Sequence, residues 1–282
     1  MLKKQQILVI GSVVILMAVL LSLNIKGLVK PNEEQGAENQ QPSTETSAAT
    51  YTLEQASEAA RLDLNANLAQ QIKELEASHK SSSGEEKLEV EKKLAQNWDD
   101  VNKPAPAAYY YEMIAEKEGN FDNWLKAGDR FTDAYQNTQD SLIQPALMQK
   151  ATVAYQKAVE LDKNSLDART GLGVAYVNGS GNPMEGIQLL LAVVKEDPKN
   201  IKANMNLGLF SMKSGQFDKA VDRFKTVVAQ KPDPEAWFYL ASTYENLGMV
   251  DDAITAYLKC KELAADPSLG QFVDRKIKEL KK

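Results

Sequence analysis

The chain has 282 residues with 33 Lys+Arg against 39 Asp+Glu, a net charge of −6, which excludes a broadly basic nucleic-acid binder. One Cys (Cys260) and one His (His79) exclude an intrachain disulfide framework, a Cys-based zinc finger and a His-rich metal site. With 43% apolar and 26% charged residues, the chain can build a packed core, and its length suits one or two domains.

A short tail (1–6) precedes the uncharged run ILVIGSVVILMAVLLSLNI at 7–25. As a helix this run is about 28 Å long, close to a bilayer core of about 30 Å. Two readings compete, a cleaved signal peptide and a retained anchor. A cleavable signal has an apolar stretch of about 7–15 residues and then a small-x-small site. Here the stretch is longer and ends in Ser22-Leu23-Asn24-Ile25-Lys26, and no lipoprotein Cys follows it. The expected element is a single-pass signal-anchor helix. Lys3, Lys4 and the amino terminus lie on one side of it, Lys26 and Lys30 on the other, so the positive-inside bias is one charge. A short tail ahead of a large domain favours a domain outside the cytoplasm, periplasmic in a bacterium. A cytoplasm-facing domain is the alternative.

Residues 31–50, PNEEQGAENQQPSTETSAAT, hold no large apolar side chain, as expected of a disordered tether. Thr52-Leu53-Glu54-Gln55 has the form of a capping box. Leu53, Ala56, Ala60, Leu64, Leu68, Ile72 and Leu75 then recur at spacings of 3 or 4. The spacing predicts one long amphipathic helix in 51–80, running over 52–77. Its stripe packs on the next helices or, alternatively, forms a homo-oligomer seam. Such a helix also offers cover for Tyr109-Tyr110-Tyr111, which cannot all face inward on one helix.

From residue 166 the chain repeats with a period of 33–35 residues. In 166–200, 201–233 and 234–266, Leu172, Leu207 and Leu240 occupy one slot, followed by Gly173, Gly208 and Ala241. Trp237, Tyr176 and Tyr244 fill aromatic slots, and Ser211 departs from the last of them. Gly186, Ala220 and Ala253 form a second small slot, with Leu190, Phe224 and Tyr257 four residues on. Two weaker units precede. One is 121–165, marked by Trp124, Gly128 and Phe131, then Ala151, Tyr155 and Ala158, with about eleven extra residues between its halves. The other is 88–120, marked by Leu94, Ala95, Trp98, Ala107 and Tyr111.

These units resemble the tetratricopeptide repeat, a helix–turn–helix hairpin with the pattern W-x2-L-G-x2-Y…A-x3-F…P. The resemblance implies an all-α fold, a right-handed α-solenoid of hairpins over 88–266, preceded by the single transmembrane helix. Gly215 and Gly248 stand where a first helix must stop, and Asn178–Pro183 lengthens one turn. Ser268-x-x-Gln271 is expected to start a capping helix within 267–282, with Leu269, Phe272, Val273, Ile277 and Leu280 on its apolar face.

No phosphate loop, HExxH, Gly-x-Ser-x-Gly or EF-hand spacing is present. No catalytic, metal or cofactor-binding residue is assigned. His79 reads as solvated surface, Cys260 as a buried thiol between units, and Asp251-Asp252 as partners of a helix N-terminus. The resemblance implies a non-enzymatic scaffold or adaptor that holds a protein or peptide in a concave groove. On the first helices of the last two units, the face away from the core slots carries Lys202, Met205, Asn206, Leu209 and Met212, then Phe238, Ser242 and Glu245. This is an apolar strip with charged ends and the expected partner site. Alternatively Met205 and Leu209 pack against the next unit, or the array is a self-associating organiser of an envelope complex without a peptide groove.

Overall fold

The computed structural model describes residues 51–179 and 182–282. The tail at 1–6, the expected membrane span at 7–25 and the linker at 31–50 lie outside the described residues. Among the described residues no helix is long and apolar enough to cross a membrane. They form thirteen helices and no strand.

Five antiparallel hairpins follow one another. They are α3 (Gly84–Asp100) with α4 (Pro104–Glu118), α5 (Phe121–Asn137) with α6 (Gln144–Leu161), α7 (Leu166–Asn178) with α8 (Pro183–Glu196), α9 (Ile201–Lys213) with α10 (Phe217–Gln230), and α11 (Pro234–Asn246) with α12 (Val250–Leu263). Before them stand α1 (Leu53–Arg61) and α2 (Ala66–Ser81); after them stands α13 (Pro267–Leu280). Each second helix packs on the first helix of the next hairpin. The first helices α5, α7, α9 and α11 also touch one another in turn, whereas the second helices approach each other less closely. The array therefore bends toward the layer of first helices, which becomes its concave side.

The alternation of small and large residues explains how closely each hairpin closes. A Cβ at Gly208 would stand 2.6 Å from the Phe224 ring, and one at Gly173 would stand 2.9 Å from Leu190. Phe224, Leu190 and Tyr257 are buried, so the large residue of each second helix fills the space its small counterpart leaves. The core is accordingly a row of clusters, each shared between neighbouring hairpins. Gly215 and Gly248, both at φ 72°, end or follow their helices in the left-handed conformation that disfavours other residues. The extra residues of the 121–165 unit lengthen both helices, to 17 and 18 residues against 13 and 14 in α9 and α10, and add the connection 138–143.

Three expectations need correction. The single helix over 52–77 is two helices. The Thr52–Gln55 capping box opens α1 as expected. The helix then breaks before Asn65, whose side chain caps α2 by accepting from the Leu68 N–H at 3.0 Å. A straight helix cannot serve two surfaces: α1 packs on α4 and α2 packs on α3. An ion pair from Arg61 to Glu76 ties the two pieces together, and Leu62 at the break is 83% exposed.

His79 is not solvated surface. Its Nε2 lies 2.9 Å from Glu91 Oε1, and Lys117 Nζ donates to Glu91 Oε2 at 2.6 Å. Glu91 is 1% exposed, so these two partners hold a carboxylate that could not be buried alone. The contact joins α2 to α3 and α4. Finally, α13 starts at Pro267 with Asp266 as its cap, where Ser268 was expected.

All three tyrosines of α4 are buried because that helix is covered on three sides. Tyr110 meets the His79 ring edge-on, and Tyr109 meets Phe131 at 5.1 Å between centroids. Tyr111 donates to Asp99 at 2.8 Å, which also binds Arg130 Nε at 2.6 Å. Cys260 is fully buried, and burial pushes its thiol pKa up.

Candidate functional site

On the concave side, the first helices α5, α7 and α9 border an open cavity of about 360 Å³. Its position follows from two glycines. A Cβ at Gly128 would stand 2.7 Å from the Tyr155 ring, and one at Gly171 would stand 2.3 Å from it. These glycines leave a slot between α5 and α7. Tyr155, on the second helix α6, passes its ring through that slot and delivers its hydroxyl to the concave layer. There it donates to Asp129 Oδ1 at 2.8 Å and lies 3.3 Å from Thr132 Oγ1.

The cavity is polar. Asp129, Asp133 and Asp167 supply three carboxylates, and Arg130 and Lys202 supply two cations. Both cations are engaged. Arg130 binds Asp99 at 2.6 Å and Asp133 at 2.9 Å, and hydrogen bonding to Asp99 holds its pKa above the usual value. Lys202 binds Asp167 at 2.7 Å, which raises its pKa in turn. Asp129 has no ion-pair partner among the described residues. Burial pushes its carboxyl pKa up, against the downward pull of the Tyr155 hydrogen bond and of the nearby Lys202 charge. Thr170 lines the same cavity, is 3% exposed, and its hydroxyl has no hydrogen-bond partner.

Of the eight residues expected to form the partner strip, Lys202 and Asn206 line this cavity. Met205, Leu209, Met212 and Phe238 are half-buried and pack against the core cluster of the last units. The Phe238 ring sits 5.8 Å from Phe272 and 5.9 Å from Tyr257. Glu245 is held by Tyr257 at 2.8 Å and Lys276 at 2.9 Å, and Ser242 is half-buried beside it. The structure thus places the strip's apolar members between units and its polar α9 members in the groove. Asp129 and Thr170 escaped the sequence reading, which took Tyr155 as a repeat position alone. The one available signal was the Gly128-Asp129 pair, where a small-slot residue adjoins a carboxylate.

A larger cavity of about 680 Å³ lies between α8 and α10, with Met184, Ile187, Leu191 and Phe210 among its apolar walls. None of the residues that line it carries an unpartnered buried polar atom.

Two tetratricopeptide repeat family models match the chain, one over residues 178–242 and one over 234–267. No curated protein matches the sequence. Among solved structures, the thermophilic TPR protein TTC0263 of Thermus thermophilus is similar at 18% identity and a TM-score of 0.53, over 67% of this chain and 97% of that one. MamA matches at 21% identity and a TM-score of 0.46, over 62% of this chain and 91% of that one. YrrB, described as a TPR protein with an unusual peptide-binding site, matches at 18% identity and 0.44, over 66% and 91%. The chain carries tetratricopeptide repeats, and its fold is a helical array of that type. At these identities the likeness to solved structures concerns the fold alone.

Proposed function

We propose that this protein is a membrane-anchored scaffold that holds a segment of a partner protein against the first-helix layer of its array. Tetratricopeptide arrays commonly serve as interaction scaffolds, and that generality rests on fold analogy. The observation particular to this chain is the polar cavity bounded by α5, α7 and α9, where Asp129 has no ion-pair partner and the Thr170 hydroxyl no hydrogen-bond partner among the described residues. The anchor is residues 7–25, and the array stands outside the cytoplasm.

A photo-crosslinking side chain placed at Gln136 or Asn206 in the full-length protein, in native membranes, tests the groove. Capture of one partner from these positions, and not from Lys195 or Thr226 on second helices, supports it. Equal capture from both faces, or none from the groove, sinks it. Protease added to spheroplasts tests the orientation: the array is expected to be digested. A mature amino terminus near residue 27, or a protected array, overturns that part.

Self-association through 52–77 is the weaker reading. Ala56, Ala60 and Ile72 of that stripe are already buried within the chain.

A further inference from the structure

We infer that the α5–α7–α9 cavity takes a lysine or arginine side chain of the bound segment, with Asp129 as its counter-charge. This deepens the proposed groove function and rests on it.

The inference starts from a mismatch in charge pairing. Arg130 is committed to Asp99 and Asp133, and Lys202 pairs with Asp167 and attracts Asp129 only from beyond ion-pair distance. Asp129 receives one hydrogen bond, from the neutral Tyr155 hydroxyl. A mostly buried carboxylate with one neutral partner is an expensive arrangement for a fold to hold. The nearby Lys202 charge offsets part of the cost of burial, and Asp133, one helical turn away, and Asp167 add repulsion to it.

Thr170 is the independent observation. Thr170, on α7, lines the same cavity as Asp129, on α5, and its buried hydroxyl has no partner. A hydroxyl both donates and accepts, and a carboxylate accepts only. One group satisfies both at once: a cation rich in donors. A lysine ammonium carries three N–H donors and an arginine guanidinium five. A carboxylate or phosphate would meet Asp129 with like charge.

The cavity volume of about 360 Å³ is far above the roughly 30 Å³ share of one water, so a long side chain fits. Among the described residues no group of three or more His, Cys, Asp or Glu side chains is disposed to hold a metal ion, which favours an organic cation. Tyr155 is fixed in its slot by Gly128 and Gly171, so the carboxylate it holds is positioned before the partner arrives. Pre-positioning of this kind reduces the ordering cost of binding.

The test uses the full-length protein in detergent micelles and a phage-displayed library of random short peptides. Selection is expected to enrich peptides with a Lys or Arg at one fixed position. The best peptide is then synthesised as selected and with that residue replaced by norleucine. Asp129→Asn is expected to weaken the selected peptide about tenfold or more, the scale of a hydrogen bond to a charged group. The norleucine peptide should bind wild type as weakly, and Asp129→Asn should weaken it no further. Thr170→Val, which keeps the side-chain shape, should weaken the selected peptide several-fold, and this arm decides if Asp129→Asn fails to fold.

Asn206→Trp, which fills the groove, separates the two readings. If Asn206→Trp abolishes binding while peptides show no basic preference, or Asp129→Asn binds normally, the cation assignment is wrong and the groove stands. If no peptide is enriched, or Asn206→Trp has no effect on those that are, both fall.

Discussion

A methyl group at Gly208 would stand 2.6 Å from the ring of Phe224, which is fully buried. The ring cannot retreat, because its other face stacks on Tyr239 with centroids 5.7 Å apart. Overpacking of this kind costs about 1–3 kcal/mol, and Ala for Gly in a helix returns up to about 1. Gly208→Ala is therefore expected to lower stability by roughly 1–2 kcal/mol by those figures. Adding Phe224→Leu should recover part of the loss, and urea midpoints for the two variants would show it. A Gly208→Ala protein as stable as wild type would mean that the two helices part easily. Asp129 presents the opposite case, a residue the fold would be more stable without. Its folded-state carboxyl pKa is raised by burial, so the folded chain binds the proton more tightly than the unfolded one. Stability from this group is then lost as pH rises from the unfolded value of about 3.9 through the folded one. Asp129→Asn keeps an acceptor for Tyr155 and removes the charge. It should melt higher than wild type at neutral pH, with the gap closing as pH falls below the ordinary carboxylate range. A variant that melts lower at neutral pH, by an amount that vanishes in acid, would show the carboxylate to be a stabiliser.

At the scale of an element, α13 shows what a terminal helix of the array does. Val273 is fully buried and Ile277 nearly so, while Phe272, Leu269 and Leu280 lie on the same face. They cover Phe238 and Tyr257, which have no later hairpin against them among the described residues. Burying one such side chain stabilises by about 1.5–3 kcal/mol, and a whole domain has about 5–15. Removal of 268–282 should lower the melting temperature sharply and cause association, read by thermal melts and light scattering. An unchanged melt with a monomeric product would show that α12 needs no cover. At the other end α1 and α2 do the corresponding work in two pieces, one on α4 and one on α3.

Across the whole molecule, the core is a row of clusters, and stability should propagate between neighbours only. Phe224→Ala removes a fully buried ring at a cost of about 3–5 kcal/mol. Hydrogen exchange of the full-length variant is expected to quicken in α9 to α12 and to stay slow in α3 to α6. Uniform acceleration along the chain would reveal one cooperative unit.

The hairpins were legible because their signals are local. Small and large residues at fixed spacing, Gly215 and Gly248 after helices, and the Thr52–Gln55 box act within a few residues of themselves. The break at 62–65 was not legible, since the apolar stripe runs through it without interruption. Only the separate surfaces of α3 and α4 decide that α1 and α2 part. The same holds for His79, whose flanking serines suggest solvent but whose partner Glu91 is set by the packing of α2 on α3. The groove divides in the same way. Sequence spacing alone pointed to the first helices, and there to Lys202 and Asn206, which line the α5–α7–α9 cavity. It could not tell that Met205 and Phe238 face neighbouring units, because that depends on how far each hairpin rotates against the next. Nor could it bring together Asp129, Tyr155 and Thr170, which lie on three different helices. They meet because Gly128 and Gly171 admit a tyrosine between two helices, and that proximity exists only once the hairpins stack.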